Sequence, residues 1–593
     1  MFSRIVSRER FIHIDKSRTS LLEQSLRSLP VATCQAFLDK KGNISPVHFM
    51  PANEIIPNES KDVVNKEFPH LQDEVLEADR TFNYATEKRI GVFFSGGPAS
   101  GGNNVLAGIK KALGKDNTLL GIMNGPDGLI NGNIVEITND NMTAILNTGG
   151  FDLLGTSRTK IKKDEQFEKV LKTVQDKSID GIIVIGGDDS NTNAAILAEY
   201  FEKQRELGNI DYKCTVVGVP KTIDGDLQVP EGNLLPISFG HDTSVRTFGH
   251  WIGNLLTDAA SAGKYWHFVK IMGRTASFLT MGVAFLTKPH ITLISEEIEA
   301  KRMSMREIID YMVKIIAYRA SQNKNSGVAL IPEGLIEFVP EMQKLIEELN
   351  DTDNMSVESK NLWDSFPEKV KDSLLLGRDP HGNLKVSQIQ TDVILTQLVE
   401  SRIREIQDLL KNGDKDIILE YMEKFSISTQ KGLDNLLKFD FQIPASHFYG
   451  YEGRSGAPTR FDAAYAFNLG LTAGSLVLGE YTGYMASVTD IFSGGRPVGI
   501  PLISLIHLEE REGKQVPVIK KTLVDIKSKF FKMFEEQREE WSKGSSFINP
   551  GPIQYYGPTK NRLPMIPALN VGVDPHTPFN LGDPKKIIFE EDS

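Results

Sequence analysis

Short apolar runs alternate with amphipathic, helix-like stretches through the middle of this chain. Five runs have the length of a buried strand, and each leads into a turn that contains glycine or a charged residue: 90–94, 181–185, 215–219, 266–271 and 328–331. Strands that alternate with helices predict parallel sheets covered by helices on both faces. Ligands bind beyond the carboxyl ends of the strands in such sheets, so the chemistry is expected in these turns.

The alternation predicts an α/β fold class with two Rossmann-like three-layer domains whose sheets are mainly parallel. We expect the first domain at 87–236, completed by about 453–545. The second domain is expected at 237–335, completed by about 441–452.

Three remaining stretches lack the alternation. Residues 1–86 carry no chemical motif and predict an N-terminal extension. Residues 336–440 are charged and helix-like, which predicts a helical insertion. Residues 546–593 are rich in proline and glycine, which predicts an extended C-terminal tail.

Composition narrows the class of protein. The net charge of -11 over 593 residues argues against a protein that coats nucleic acid, so any phosphate site must gather its positive charge locally. Only Cys34 and Cys214 are present, which excludes a disulfide framework and favours a reducing compartment, with the cytoplasm as the expected location. No uninterrupted apolar segment reaches the length of a membrane span, and the nearest, 278–294, is broken by Lys288.

The first glycine-rich turn, Gly96 to Asn103, follows the run 90–94. Its backbone N–H groups could approach an anion closely, and the helix that follows would add its positive end. A plain strand-to-helix turn remains the alternative. The chain contains neither the GxxxxGK[ST] pattern nor G-x-G-x-x-G.

Two adjacent aspartates, Asp188 and Asp189, follow the second run. Carboxylates at a strand end can hold Mg²⁺ together with phosphate oxygens. Helix capping is the alternative interpretation, and Ser190 could also serve as a cap. Capping explains one aspartate more easily than two, because adjacent like charges repel unless a cation offsets them.

The turn from Lys221 to Asp226 carries the most specific chemistry. Asp224 could take the proton from an attacking hydroxyl, with Asp226 orienting it or supporting a metal. Thr222 could donate to a phosphoryl oxygen, and Lys221 could offset charge on the transferring or leaving phosphate. An ordinary Asx turn with a surface lysine is the alternative.

Residues after the later strands could bind a sugar phosphate. Arginines at 274 and 454 can form forked hydrogen bonds to phosphate, and Glu333 can accept from sugar hydroxyls. Each is unremarkable alone. Their common position at strand ends is what favours an acceptor pocket.

These motifs together resemble those of the phosphofructokinase family, and within it the long-chain, pyrophosphate-dependent type. The resemblance covers about 89–552 and rests on the segments SGGPASGG, GGFDLLGTSR, GGDDS, PKTIDGD, KY, MGR, PEG and GYEGRS. It implies reversible, Mg²⁺-dependent transfer from pyrophosphate to fructose 6-phosphate, yielding fructose 1,6-bisphosphate and phosphate in glycolysis or gluconeogenesis.

The resemblance also implies roles for individual residues. The catalytic set would be Asp224, Lys221, Asp189 and Arg274, with Asp224 as proton acceptor and Asp188 as the Mg²⁺ ligand. Pyrophosphate would contact Gly97, Asp189 and Lys221. The sugar phosphate would contact the following residues: Thr222, Ile223, Asp224, Lys264, Tyr265, Met272, Gly273, Arg274, Glu333, Tyr451, Glu452, Gly453 and Arg454. Lys264 and Tyr265 would reach a neighbouring subunit's site, which implies a homodimer or larger assembly, with no nucleic-acid or membrane partner.

Two positions indicate that the phosphoryl donor is pyrophosphate rather than ATP. ATP-using relatives usually have glycine where Asp189 and Lys221 stand here. A carboxylate at 189 would repel the nucleotide's α-phosphate, and Lys221 would bind the compact pyrophosphate. An ATP-dependent enzyme of the same fold and a catalytically silent regulatory subunit are the alternatives.

Overall fold

The computed structural model describes residues 20–84, 87–349, 355–375, 389–444, 446–511, 514–544, 547–551, 553, 555, 560–574 and 577–589. Its strands are β1 (Val31–Thr33), β2 (Val47–Pro51), β3 (Leu76–Thr81), β4 (Arg89–Ser95), β5 (Thr118–Ile122), β6 (Ile134–Glu136), β7 (Thr156–Ser157), β8 (Gly181–Gly186), β9 (Thr215–Pro220), β10 (Trp266–Ile271), β11 (Ile291–Thr292), β12 (Gly327–Pro332), β13 (His447–Tyr449), β14 (Tyr484–Thr489), β15 (Arg496–Pro501), β16 (Ile506–Arg511), β17 (Lys514–Ile519) and β18 (Asp583–Lys585). At each of the five predicted runs a strand is present, with bounds within one residue of the prediction.

The α-helices are Leu21–Arg27, Lys61–Glu67, Gly102–Leu113, Pro126–Asn131, Asn139–Ile145, Asp164–Asp176, Asp188–Glu206, His241–Ala262, Phe278–Thr287, Ser295–Ala300, Met305–Ser321, Pro340–Glu348, Val357–Ser365, Glu368–Leu375, Thr391–Asn412, Lys415–Lys424, Gln430–Lys438, Arg460–Leu478, Leu502–Leu505, Lys529–Lys543 and Met565–Asn570. Short 3-10 helices occur at Gln35–Phe37, Glu231–Asn233, Leu335–Phe338 and Tyr451–Gly453. The described part of 336–440 forms helices and their connections only.

Ten strands form the larger sheet, in the order β2-β3-β15-β14-β9-β8-β4-β5-β6, with β7 beside β4. The central strands from β14 to β5 run parallel, and the outer pairs are antiparallel. β8 is buried along its whole length, as expected for a strand with helices on both faces. Its alternate side chains enter two different hydrophobic clusters: Ile183 and Ile185 pack into one, and Ile182 and Val184 into the other.

The smaller sheet has the order β11-β12-β10-β13 and is parallel throughout. On β10, Val269 and Ile271 pack into the cluster that also contains the core of the larger sheet. Trp266 and Phe268 point to the opposite face, where they pack with Met305–Ser321 and the helices of the insertion. The chain therefore has the α/β fold class predicted, with two sheet-based units that share one central core.

Segments from both ends of the chain join this frame. β2 and β3 extend the larger sheet beyond β15, and β1 pairs with β18 near the C-terminus. The hairpin of β16 and β17 lies after the larger sheet's last strand. Along the helix Lys529–Lys543, Phe530, Phe534 and Trp541 pack around Phe285, which belongs to a helix beside the smaller sheet.

The helix Arg460–Leu478 lies in the centre of the molecule, against Gly102–Leu113. The two helices approach so closely that a Cβ on Gly108 would lie 2.1 Å from the carbonyl oxygen of Phe467. Within the described residues this is the one helix long and apolar enough to cross a membrane, and it is wholly buried inside the protein. The sequence instead indicated 278–294 as the nearest candidate, because the small and polar residues of the central helix dilute its apolar pattern.

Candidate active site

One cleft of about 450 Å³ is lined by residues that follow the carboxyl ends of β4, β8, β9, β10, β12 and β13. The first three strands belong to the larger sheet and the last three to the smaller, so the cleft lies between the two units. It brings together most of the predicted site residues: Gly97, Asp188, Asp189, Lys221, Thr222, Ile223, Asp224, Met272, Arg274, Glu333, Tyr451 and Arg454.

The turn after β9 is fixed by its own backbone and by a buried histidine. The N–H of Asp224 donates to Oγ1 of Thr222 at 3.1 Å. Gly225 has a φ of +77°, and a Cβ there would lie 2.8 Å from the ring of His241, so glycine is required. Burial lowers the pKa of His241, so the neutral ring can donate from Nδ1 to the carbonyl of Ile223, 2.7 Å away. The turn therefore presents Asp224 in one orientation.

Two carboxylates lie beside the ammonium of Lys521, and the charge of a third, Asp224, also acts on it. Its Nζ lies 3.3 Å from Oδ2 of Asp226 and 3.8 Å from Oδ2 of Asp188. Burial, and next the charge of Asp226, raise the pKa of Asp224 to about 7 against the opposing effect of Lys521. Burial also raises the pKa of Asp188, which Lys521 again opposes. A carboxyl group that titrates near neutral pH can both accept and return a proton, as a reversible reaction needs.

Lys221 is buried beneath the glycine-rich turn. A Cβ on Gly96 would lie 3.3 Å from the Lys221 Nζ, and one on Gly97 would lie 3.2 Å from the guanidinium of Arg454. Burial lowers the pKa of Lys221 to about 8, although the charge of Asp224 raises it in part. The cations of Lys221 and Arg454 thus lie close to the backbone of two glycines. Because these glycines have no side chains, an anion has room between the cations.

The rest of that turn does not reach the cleft. Residues 95–98 line it, whereas the N-cap Gly101 is buried, with a Cβ there 3.1 Å from Ala466. The first residues of Gly102–Leu113 therefore do not line the cleft. The helix that does open onto the cleft is Asp188–Glu206, whose first residues line it.

Asp188 and Asp189 are the first two residues of that helix. The N-cap is Gly187, and no side chain caps it, so the capping interpretation is contradicted. Asp189 is exposed and forms an ion pair with Lys160, Oδ1 to Nζ 2.7 Å. Both carboxylates gain from the positive helix terminus, which offsets part of the repulsion between them.

The wall formed by the smaller sheet carries the residues predicted for the sugar phosphate. The N–H of Gly273 donates to Oε2 of Glu333 at 3.1 Å, which holds that carboxylate at the cleft. The guanidinium of Arg454 lies 4.8 Å from the ring centroid of Tyr451. Arg274 is exposed and Arg454 is half-buried, so this wall presents two guanidinium groups that can form forked hydrogen bonds to a phosphate.

Five predicted site residues do not line the cleft of their own chain: Lys264, Tyr265, Gly273, Glu452 and Gly453. Lys264 and Tyr265 precede β10, at the end opposite the cleft, where the Lys264 ammonium lies 4.9 Å from the Tyr265 ring centroid. Glu452 is exposed, and its Oε2 accepts from the N–H of Gly450 at 3.1 Å. Gly453 is buried. Glu452 and Gly453 belong to the turn that precedes Arg454 and help to position it.

Sequence reasoning missed Arg158, Thr159, Lys160 and Lys521, all of which line the cleft. The first three follow β7, a strand of two residues that is too short to be predicted from an apolar run. Lys521 follows the antiparallel strand β17, to which the strand-end rule for parallel sheets does not apply.

The oxygen donors suit a divalent cation that arrives with phosphate. In the part of the chain that the structure describes, no group of three or more His, Cys, Asp or Glu side chains could hold a metal alone. Asp188 and Asp226 nevertheless flank a cation, the ammonium of Lys521, at 3.8 and 3.3 Å. Mg²⁺ is bound in proteins by one or two carboxylates plus phosphate oxygens, so these residues fit it.

Comparison with known proteins agrees with this geometry. The phosphofructokinase family pattern matches residues 89–362. The pyrophosphate–fructose 6-phosphate 1-phosphotransferase subunit beta of Solanum tuberosum is 41% identical over 508 residues, 82% of this chain and 83% of that protein. The pyrophosphate–fructose 6-phosphate 1-phosphotransferase of Treponema pallidum (strain Nichols) is 40% identical over 498 residues, 79% and 81% of the two chains.

Among solved structures, a pyrophosphate-dependent phosphofructokinase from Nitrosospira multiformis aligns over 79% of this chain and 96% of its own. Its TM-score is 0.48 and its identity 13%, values too low to add to the assignment. The extent and identity of the sequence matches are sufficient by themselves. This chain belongs to the phosphofructokinase family.

Proposed function

We propose that this chain transfers a phosphoryl group reversibly from pyrophosphate to the 1-hydroxyl of D-fructose 6-phosphate, giving fructose 1,6-bisphosphate and phosphate. The observation that carries the proposal is the buried Lys221 three residues before Asp224, with Asp189 at the neighbouring strand end. The relatives named above bear this activity in their names. We place the reaction in the cytoplasm, which the two free, buried cysteines support.

In this mechanism Asp224 accepts the proton of the 1-hydroxyl as that oxygen forms its bond to phosphorus. The bond from phosphorus to the bridging oxygen breaks, and phosphate leaves. Lys221 offsets the charge on the phosphate groups, where the turn of Gly96 and Gly97 lets backbone and cations approach together. In the reverse direction the protonated Asp224 returns its proton to the sugar oxygen.

Mg²⁺ would be held by Asp188, with Asp226 beside it, and when bound it offsets charge on the phosphates. Asp226 and Asp188 meet the ammonium of Lys521 in the structure, so both already lie where a positive charge is stabilised. Pyrophosphate would contact Gly97, Asp189 and Lys221.

The sugar phosphate would lie against the wall formed by the smaller sheet, where Arg274, Glu333 and Arg454 line the cleft. Lys264 and Tyr265 face away from their own cleft, so we assign them to the pocket of a second copy. The active form is therefore a homodimer or a larger homo-oligomer.

The two alternatives predict different sites. An ATP-dependent enzyme needs room for a nucleoside in this part of the cleft. Here the ion pair of Asp189 and Lys160 occupies that space, and Lys221 lines the cleft beside it. A catalytically silent subunit does not need groups that titrate near neutral pH. In this chain burial lowers the pKa of Lys221 and raises that of Asp224, so both move toward neutrality. Pyrophosphate-dependent catalysis accounts for both features.

A donor assay tests the proposal. Purified protein with fructose 6-phosphate and Mg²⁺ should form fructose 1,6-bisphosphate with pyrophosphate and none with ATP, because the nucleoside has no room. Omitting Mg²⁺ should abolish turnover. Strong turnover with ATP and none with pyrophosphate would reject the donor, and no turnover with either would favour the silent subunit.

The pH dependence of kcat/KM should be bell-shaped. Asp224 must be ionised to accept a proton, so activity should rise through pH of about 7. Lys221 must be protonated to offset phosphate charge, so activity should fall through pH of about 8. A Lys221→Arg variant checks the second limb: its guanidinium stays protonated, so the alkaline fall should disappear while the acid limb stays. An unchanged alkaline limb would exclude Lys221 as its source.

A further inference from the structure

Lys521 lies on a segment that is fastened to the turns of the larger-sheet unit. The N–H of Ile519 donates to Oγ1 of Thr192 at 3.0 Å, on the helix that begins at Asp188. The N–H of Thr522 donates to the carbonyl of Asp226 at 2.7 Å. These bonds bracket Lys521 on both sides, so its backbone keeps a fixed position relative to the catalytic turn.

The same segment is fastened to the smaller-sheet unit. The ammonium of Lys521 donates to Oγ1 of Thr275 at 3.0 Å, next to the arginine of the predicted sugar-phosphate wall. Three residues further on, the N–H of Val524 donates to Oε1 of Glu296 at 3.0 Å. Lys521 is therefore a cation held at the junction of the two units, on the floor of the cleft.

The ammonium has capacity for another partner. Its contacts to Asp226 and Asp188, 3.3 and 3.8 Å, are longer than the roughly 2.7–2.9 Å of a tight charge-assisted hydrogen bond. An ammonium carries three N–H donors, and among the described residues the hydroxyl of Thr275 lies nearest to it, at 3.0 Å.

The charge balance of the cleft indicates a role for the Lys521 ammonium in attracting an anion. Six basic side chains line the cleft: Arg158, Lys160, Lys221, Arg274, Arg454 and Lys521. Five acidic side chains line it as well: Asp188, Asp189, Asp224, Asp226 and Glu333. Removing one cation leaves equal numbers of each sign, which weakens attraction for a highly charged anion.

We propose that Lys521 is a further donor-binding residue, which contacts a phosphate oxygen of pyrophosphate on the side of the cleft lined by Asp188 and Asp226. Lys221 lies beneath the glycine-rich turn, so the two lysines approach the donor from different strand ends. This inference rests on pyrophosphate being the donor. A purely structural role, in which Lys521 only balances two carboxylates, is the competing interpretation.

The test compares Lys521→Met with Lys521→Arg and with Lys520→Met. Lys520 is the adjacent, exposed lysine outside the cleft, so its variant is a matched control. Calorimetry of magnesium pyrophosphate binding, without fructose 6-phosphate, measures the contact directly, and circular dichroism checks folding. Loss of a hydrogen bond to a charged group predicts affinity weaker by about tenfold to a hundredfold for Lys521→Met.

Lys521→Arg should restore most of that affinity, because its guanidinium keeps the charge, and Lys520→Met should match wild type. The KM for pyrophosphate should rise in Lys521→Met while the KM for fructose 6-phosphate changes little. Equal losses for both substrates, or unchanged pyrophosphate affinity, would overturn the inference. If Lys521→Met fails to fold, the Arg variant decides, since a tenfold change in its KM for fructose 6-phosphate alone would contradict a donor contact. Failure of the wild-type protein itself to bind pyrophosphate would reject the proposed function instead.

Discussion

Asp224→Asn should lower kcat by about 10² to 10⁴ while the KM values for both substrates change little. The amide keeps the size of the side chain and cannot accept the hydroxyl proton. The turn itself should persist, because the bonds that shape it come from the backbone N–H of residue 224, Oγ1 of Thr222 and the ring of His241. Steady-state kinetics with pyrophosphate and fructose 6-phosphate measure the effect.

The variant should not be less stable than wild type. A carboxyl group whose folded pKa is raised is more easily ionised in the unfolded chain, so above that pKa its ionisation disfavours folding. A neutral amide removes that cost, and thermal unfolding at pH 8 should show an equal or higher Tm. Asp140→Asn, at an exposed position in the first turn of another helix, is the matched control and should leave kcat unchanged. Near-normal turnover by Asp224→Asn would show that another group is the base.

Replacing Lys221 by Met together with Asp189 by Gly should shift the donor preference from pyrophosphate toward ATP. Loss of a buried cation that faces the transferring phosphate costs about 10² to 10³ in turnover with pyrophosphate. Removing the Asp189 carboxylate removes the charge that repels a nucleotide and opens space for it. Together the two changes should lower the ratio of kcat/KM for pyrophosphate to that for ATP by about 10³. Parallel assays with each donor measure this ratio.

The single variants should contribute unequally. Lys221 is buried, whereas Asp189 is exposed and already paired with Lys160 at 2.7 Å, so its charge is partly neutralised. Lys221→Met should therefore account for most of the loss with pyrophosphate, and Asp189→Gly mainly for the relaxed exclusion of ATP. Lys162→Met, at an exposed lysine outside the cleft, is the control. An unchanged donor preference in the double variant would refute this explanation of specificity.

The strand-end turns were accessible to sequence reasoning because their signals are local. Apolar runs such as Gly181–Gly186 and Trp266–Ile271 have the length and flanking residues of strands, and parallel sheets gather the ends of such strands at one edge. That argument was sufficient to bring residues such as Asp188, Asp224 and Glu333 to one cleft.

Other features depend on contacts between distant parts of the chain. Lys521 follows an antiparallel hairpin, and only the folded chain places its ammonium between Asp188 and Asp226. The helix Arg460–Leu478 is buried on all its faces and so lacks a one-sided apolar pattern, and it is recognised as the centre of the core from its burial. Neither position carries a periodic signal in the sequence.

The amino-acid order alone determined the α/β class, five strands of the two sheets and most of the turns that bear the chemistry, because each is specified by neighbours a few residues apart. Tertiary structure alone decided which charges face one another: the pairing of Asp189 with Lys160, the burial of Lys221 and the placement of Lys521. The reason is that desolvation and Coulomb interactions depend on distance in space, and the side chains that set them here come from strand ends far apart along the chain.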